Sequence, residues 1–485
     1  MRQDAIIVGS GPNGLAAAVT LAAAGLGVRV YEAAGEPGGG CRSDALTRPG
    51  FLHDTCSAVH PLAVASPFFR AFGLRDRVDL RAPDVAYAHP LDGGRAGVVR
   101  GTVEETAGGL GVDAETYASL LGPLVRAAPD LVSLLLAPPL RRLPTDVLGT
   151  AAMARSSLRL AGRGVARAFG TEEARAVITG AGAHSMQPLS SLTPAPMGLL
   201  LTLLAHTTGW PLPRGGSQAI TDALVTALCR LGGEVVTGHQ VRTLRELPPA
   251  HAVLLDVVPE QLLAMVGDEV SGSYARALRR FRHGAGVCKV DYALSGPVPW
   301  ANTACRSAGT VHVGGRWDEV ALALEELGAG RHPQRPFVLV AQPSLVDRDR
   351  APAGQHALWA YCGVPAGSDV DMSERIDAQI ERFAPGFRDL VLDRHVRTAA
   401  GYQAYNPSYL GGDMSGGAMT PDQLVFRPAP RWDPYATPAP GVFLCSASTP
   451  PGAGVHGMCG YQAALSALRK RFGIHKVPAL ATAGR

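Results

Sequence analysis

The sequence predicts an α/β fold in two parts: a parallel sheet assembled from three separated segments, and a mixed α+β unit formed by the long insertions between them. Three observations carry this expectation. A strand, a glycine turn, a helix and a second strand open the chain within its first 32 residues. A glycine turn, helix and strands of the same kind return at 214–255. A last buried strand, a glycine-rich loop and a helix stand at 441–471.

Taken in order, residues 5–8 (AIIV) form the short apolar run that a strand buried on both faces requires. The turn GSGPNG follows at 9–14, then a helix of small residues at 15–24 that Gly25 and Gly27 end. Residues 28–31 are a second strand with Glu32 at its end. From 68 to about 213 the apolar spacing is helical, broken by prolines such as Pro138 and Pro139, and 197–204 is a core segment. Arg214, Gly215, Gly216 and Ser217 open a helix at 218–231, which Gly232 and Gly233 end. Strands are expected at 234–236 and 252–255, with a short alternating segment at 241–244 between them. Strand candidates then fall at 286–293, 310–313, 337–341 and 357–362, followed by a helix at 371–383. A strand at 441–445 and a helix at 460–471 complete the pattern. The expected division is 1–67, 214–284 and 436–476 for the parallel-sheet domain, 68–213 and 285–435 for the substrate domain, and a frayed tail at 477–485.

The 485 residues exceed what one hydrophobic core holds, and 46% hydrophobic with 18% charged residues is a globular balance. A net charge of +4 without a dense Lys/Arg run argues against a nucleic-acid partner. The eight cysteines form no C-x-x-C pair and no cluster with metal-ligand spacing, so no metal site is expected and a reducing compartment is. Asp4 interrupts the apolar start, unlike a signal peptide. The longest apolar stretch, 120–140, contains Arg126, Asp130 and prolines, unlike a membrane span. The expected location is cytoplasmic.

The glycines at 9, 11 and 14 form G-x-G-x-x-G in its proper context between strand and helix. The first makes the tight turn, the second admits a pyrophosphate to the backbone, and the third lets helix and strand pack closely. The helix N-terminus then offers free N–H groups to the phosphates. Glu32 lies where, about 20 residues on, an acid accepts from a ribose 2′-hydroxyl. A second glycine patch, GEPGGGCRS at 35–43, brings Arg42 beside the first, and a third runs through STPPGAGVHGMCG at 448–460. Three such loops suit a long buried ligand such as FAD, whereas a transient NAD needs only one.

The segments GSGPNGLAAA, GGGCRS with PGFLHD, WPLPRGGSQAI, KVDYALSGPVPW and STPPGAGVHGMCGYQAA resemble the phytoene desaturase-like NAD(P)/FAD-dependent oxidoreductases of the flavin amine oxidase superfamily. They are also similar to the pyridine nucleotide-disulfide oxidoreductase domain-containing protein 2 group. The resemblance covers nearly the whole chain. It implies a Rossmann-type FAD-binding domain with an inserted mixed α+β substrate domain. It further implies FAD held by Gly9, Gly11, Gly14, Glu32, Gly39 and Arg42, with the backbone of Val241 at the adenine and Gly454, Val455, Gly457 and Met458 about the flavin. One departure stands out: Gly40 occupies the place of the arginine in the usual G-G-R, and Arg42 stands two positions on.

Flavin chemistry asks little of side chains beyond orientation and dryness. By the resemblance, Lys289 at a strand start ahead of Pro299-Trp300 holds a water at the flavin, the alternative being a strand-end lysine in solvent. His456, in the flavin loop, is a candidate acid or base. His184 and His206 are candidates for the substrate chamber, and Tyr402, Tyr405 and Tyr409 for an aromatic wall. Each also has an ordinary structural reading. Apolar runs near Leu134 and Leu200 read as core or as a tunnel wall. The expected reaction is hydride abstraction to flavin, giving C=C or C=N, from a small apolar or amine substrate, with oxygen or a quinone reoxidising the flavin. An apolar substrate brings a peripheral membrane contact into the expectation. The alternatives are an amine oxidase-like enzyme that releases peroxide, and a non-catalytic flavin-binding regulatory protein.

Overall fold

The computed structural model describes residues 3–139 and 142–480. Its first sheet has five strands, all parallel, in the order Val442–Leu444, Ala250–Leu255, Gln3–Val8, Val28–Tyr31 and Glu234–Val236. The central strand is covered on both faces. Ala5 and Ile7 pack into the core that contains the helices Pro12–Ala23, Gln218–Arg230 and Met458–Arg471. Ile6 and Val8 face the helices Pro259–Val266 and Gly272–Arg279. This two-sided burial is why 5–8 reads as an unbroken apolar run.

The helix Pro12–Ala23 starts one turn earlier than the apolar pattern suggests, because Pro12 stands at its first position, where no N–H is needed. Its small residues let other helices come close. A Cβ on Gly460 would collide with the carbonyl oxygen of Asn13 and stand 3.0 Å from the nitrogen of Ala17.

The second sheet has seven strands, ordered Val391–Arg397, Gly286–Leu294, His356–Val364, Val338–Ala341, Ala308–Val313, Val85–Leu91 and Arg95–Arg100. All neighbours are antiparallel except Ala308–Val313 beside Val85–Leu91. Two of its strands correct the expectation of helix throughout 68–213. Val85–Leu91 is buried at every position, so it lacks alternation, and it carries Pro90. The turn at Asp92–Gly94 joins it to Arg95–Arg100. The edge strand Val391–Arg397 also escaped notice, since its charged, half-exposed residues resemble a loop. The alternating segment 241–244 is not a strand: only Val241 is buried, and the chain turns at Leu244–Glu246.

The remaining insertion is helical. Glu172–Gly182 and Pro194–Thr207 lie between the second sheet and the outer helix Val147–Leu160. Among the described residues no single helix is long and apolar enough to cross a membrane. The apolar stretch at 120–140 falls mostly in the pair Gly111–Arg126 and Ala128–Leu135, bent by 74°, and its last residue lies outside the described residues. Of the expected tail, 481–485 also lies outside them.

The approach of Met458–Arg471 to Pro12–Ala23 is testable. Gly460→Ala is expected to cost about 1–3 kcal/mol, the usual penalty of overpacking, read as a lowered thermal midpoint. Gly35→Ala, at a position with nothing within 4 Å of an added Cβ, serves as the neutral control.

Candidate active site

A cavity of about 600 Å³ runs from the C-terminal ends of the parallel strands to the second sheet. Its first end is built by loops that touch one another. Gly9 has φ +96°, and a Cβ there would stand 2.9 Å from the carbonyl oxygen of Asp256. The buried Glu32 carboxylate accepts from the nitrogen and hydroxyl of Ser10 at 2.9 and 2.5 Å, and from the nitrogen of Ala34 at 2.9 Å. It thereby ties the glycine turn to the end of the second strand. The second glycine loop rests on the first: the nitrogen of Gly38 donates to the carbonyl of Ser10 at 3.1 Å, and a Cβ on Gly39 would stand 3.1 Å from the Cα of Gly11.

Arg42 lines this end. Its Nη2 lies 3.4 Å from Glu32 and its Nη1 donates to the Tyr405 hydroxyl at 3.3 Å, while its buried Nε has no protein partner. The buried Oδ1 of Asn13, beside the phosphate-type turn, is likewise unpartnered. Gly40, where an arginine is usual, backs onto the Tyr409 hydroxyl, so a side chain there has no room. Val241 and His239 line the wall near Tyr31, whose ring centroid is 5.0 Å from that of His239. The donor set, the unpartnered atoms and the glycine cradle fit an extended dinucleotide.

Asp256 was missed in the sequence. It ends the strand Ala250–Leu255, and its Oδ2 accepts from the nitrogen of Gly14 at 2.9 Å. Burial pushes its carboxyl up to about 7. The signal was there: a polar residue directly after a buried parallel strand sits at the crevice where such sheets bind ligands.

The C-terminal loop contributes Gly454 and Val455 to the cavity wall. His456 lies behind them, fully buried. Its Nε2 is 3.2 Å from the carbonyl of Gly452, its Nδ1 accepts from the nitrogen of Met458 at 3.0 Å, and burial lowers it to about 4. It shapes the loop and is absent from the cavity wall. Gly457 packs on Phe68, and Met458 starts the last helix; neither lines the cavity. Gly14 also stays off the wall, with its nitrogen on Asp256.

The far end is apolar, with Leu62, Met197, Leu201, Trp210, Trp359 and Met419 in its wall, and His60 and His184 beside them. Among the described residues, the only acids lining the cavity are Glu32 and Asp256, both at the first end. Tyr405 and Tyr409 line it, whereas Tyr402 is buried behind them, its hydroxyl donating to the carbonyl of Thr55 at 2.8 Å. His206 is remote, bonded to Tyr117 and to the carbonyl of Gly101. Leu134 and Leu200 do not line the cavity, although Leu201 does.

Lys289 is neither in solvent nor on the wall. It lies within the strand Gly286–Leu294, 1% exposed, paired with Asp291, and its ammonium stands 5.6 Å from the centre of the Trp359 ring. Burial lowers the lysine and raises Asp291 to about 6.

Fold and site together define a Rossmann-type α/β fold whose crevice, with a second, mixed sheet beyond it, fits a dinucleotide. Residues 7–72 match the NAD(P)-binding Rossmann-like domain. The chain is 26% identical to the rat pyridine nucleotide-disulfide oxidoreductase domain-containing protein 2 over 54% of this chain and 53% of that one, so it spans about half the length of that relative. An uncharacterized protein of Mycobacterium tuberculosis is 25% identical over 96% of this chain and 97% of its own. A 4,4'-diapolycopen-4-al dehydrogenase of Metabacillus indicus is 28% identical over 25% of this chain and 26% of its own. Among solved structures, an oxidoreductase from Methanosarcina mazei has a TM-score of 0.61 at 15% identity, covering 96% of this chain and 100% of that one. Cyclohexylamine oxidase from Brevibacterium oxydans has a TM-score of 0.59 at 14% identity, covering 98% and 100%. These structures share the fold.

The environment of Asp256 gives a signed prediction. Its folded carboxyl keeps a proton that the unfolded chain releases, between the ordinary value of 3.8 and about 7. Without ligand, stability therefore falls as pH rises through that window. Asp256→Asn keeps an acceptor for Gly14 and removes the titration. The variant's thermal midpoint is expected to overtake wild type progressively from about pH 4 to about pH 7, with no such trend if the carboxyl titrates normally.

Proposed function

We propose that the protein is an FAD-dependent oxidoreductase that removes hydrogen from a neutral, apolar substrate to form a C=C bond. The observation that carries this reading is the division of one cavity: its dinucleotide end holds both acids and the arginine, and its far end holds no charge. FAD, when bound, supplies the two-electron acceptor. Gly9, Gly11, Gly39, Glu32 and Arg42 would hold its nucleotide part, Val241 its adenine side, and Gly454 with Val455 its flavin side. The discontinuous unit 1–67, 214–284 and 436–476 serves that task, and 68–213 with 285–435 encloses the substrate.

This chain's residues then do three things. The apolar wall excludes water from the reacting carbons. The C-terminal loop, braced from behind by His456, presents backbone to the cofactor. Lys289 is a positioning residue that supports Trp359 from behind, its charge compensated by Asp291. The relatives named as a dehydrogenase and an amine oxidase bracket the substrate choice, and the wall favours the first. No carboxylate is available for an ammonium at the far end, and the face of Tyr405 is already covered by Arg397 at 4.1 Å. A chamber beyond the dinucleotide also exceeds what a flavin kept only for structure needs. Oxygen or a quinone is the terminal acceptor.

An apolar substrate has to reach this wall. Leu143, Val147, Leu148 and Leu158 are largely exposed, and Arg142, Arg155, Arg159 and Arg163 lie among them. The helix Val147–Leu160 packs on Pro194–Thr207, which carries Met197 and Leu201 into the cavity. We place a contact with an anionic membrane surface here.

Purified protein is expected to be yellow with non-dialysable flavin, and Arg42→Met to weaken FAD retention about 10-fold or more, as loss of a charge-assisted hydrogen bond requires. Anaerobic bleaching of the flavin by polyenes, with silence across an amine panel, is the expected pattern; amine-driven peroxide release would replace this reading with the oxidase one. The membrane contact predicts co-sedimentation with phosphatidylserine vesicles that weakens with salt and is lost in Leu148→Asp/Leu158→Asp. Equal binding by that double variant refutes it.

A further inference from the structure

Three histidines stand in a row leading away from the cavity. His184 lines it, and its Nε2 lies 2.9 Å from the Nε2 of His312. His312, on Ala308–Val313, is fully buried, and its Nδ1 has no partner. His89, on the neighbouring parallel strand Val85–Leu91, is also fully buried; its Nε2 lies 2.8 Å from the carbonyl oxygen of Gly315, and its Nδ1 is unpartnered too. The two unpartnered atoms converge: each lies 2.7 Å from the point where a Cβ on Gly180 would stand. Any side chain at position 180 would press on both.

We infer that His184, His312 and His89 form a proton relay, joined at the Gly180 notch by one water, that turns a lone pair of His184 toward the cavity and lets it take the substrate's proton. The tautomers follow from the far end. A carbonyl only accepts, so His89 carries its proton on Nε2 and accepts at Nδ1. The relay then has the water donate to His89 and accept from Nδ1–H of His312. The Nε2 of His312 then accepts from Nε2–H of His184, and Nδ1 of His184, which makes no hydrogen bond among the described residues, is left bare. Burial keeps the row neutral, with His184 and His89 held down to about 4. The charged groups about the far end are Glu319, whose Oε1 would stand 2.6 Å from a Cβ on Gly315, and Arg382, paired with it at 2.8 Å; the Tyr87 ring lies 4.9 Å from that of His312.

The step rests on the desaturation reading above, with bound flavin as the oxidant. One C–H bond of the substrate gives up its hydrogen with both electrons to that oxidant. The neighbouring C–H bond breaks with its pair left behind as the new π bond, and its proton bonds to Nδ1 of His184. As it does, the Nε2 proton shifts to His312, and the Nδ1 proton of His312 moves on toward the water and His89. His184 is thus the catalytic residue, and His312 and His89 are positioning residues.

The test is long-range ¹H–¹⁵N NMR on the ¹⁵N-histidine-labelled flavoprotein, with the His184 signals identified by their loss in His184→Asn. The expected spectrum has His184 protonated on Nε2 and bare at Nδ1. Gly180→Ala, which presses on both Nδ1 atoms, and His89→Phe, which removes the anchor, are each expected to shift His184 out of that single tautomer while flavin content is retained; if Gly180→Ala does not fold, His89→Phe decides. His184→Asn is expected to slow flavin reduction by a polyene about 10²-fold, the lower range for a lost general base. A His184 protonated at Nδ1, or a His184 signal indifferent to His89→Phe, overturns the relay. A protein that purifies without flavin overturns the oxidoreductase reading instead, and the same spectra still decide whether the row is connected.

Discussion

The N-terminus of the helix Pro12–Ala23 is the point on which the molecule closes. Four groups from four parts of the chain meet there: Glu32 on Ser10, Asp256 on Gly14, Gly39 against Gly11, and Gly460 against Asn13. Each needs the others, because the turn at Gly9 brings the backbone within contact of the Asp256 carbonyl. A helix start left bare would expose unsatisfied N–H groups and a positive dipole end. Here it is surrounded by backbone and two carboxyl groups, which leaves a narrow crevice with the remaining N–H groups turned into it. That crevice is why the parallel-sheet unit is drawn from three segments. The strand Gln3–Val8 must have Ala250–Leu255 beside it to deliver Asp256, and Val442–Leu444 beyond it to deliver the last loop.

The same closure sets the polarity of the cavity. Every charged side chain on its wall belongs to the loops around that helix start, and the insertions supply only neutral surface. A ligand that spans the whole space must therefore be polar at one end and greasy at the other. An extended dinucleotide matches the polar end of this order. A chamber that has shed charge also strengthens whatever electrostatics remain, since dipoles and lone pairs act there without competition from water.

What the sequence made legible follows from how local each signal is. The first βαβ unit was readable because apolar run, glycines and acid lie within one short stretch. The strands at 286–294, 308–313, 338–341 and 356–364 announced themselves as apolar runs of strand length. Val85–Leu91 did not, because burial on both faces erased its alternation and Pro90 spoke against it. The site was half legible on the same grounds. Gly9, Gly11, Gly39, Glu32 and Arg42 carry a local motif, and Asp256 carries the weaker one of a polar residue after a buried strand, whereas Trp359 acquires meaning only through pairing with distant segments. Lys289 shows the limit most clearly. Its strand was foreseen, and Asp291 two residues on shares its face, but its depth depends on Trp359 closing over it, which no spacing along the chain encodes.

The ionic groups behind the wall bear on how the two sheets stay in register. Arg350, fully buried in the insertion, binds Asp54 at 3.1 Å and Asp347 at 3.0 Å. Asp54 in turn accepts from the nitrogen of Ser217 and the hydroxyl of Ser43, both at 2.7 Å, and Asp347 accepts from the nitrogen of Gly215 at 2.8 Å. Burial works against the Asp54 carboxylate, yet Arg350 and Ser217 hold it below its usual range, so it stays charged in place. Such a cluster is weak as a source of stability, since desolvating three charges costs as much as their attraction returns. Its directionality is another matter. A guanidinium that must satisfy two carboxylates and the carbonyl of Pro213 at once tolerates one placement of the second sheet over the glycine loops, whereas an apolar contact would tolerate many. The cavity lies between those two bodies, so its width is fixed by polar groups that never touch its contents.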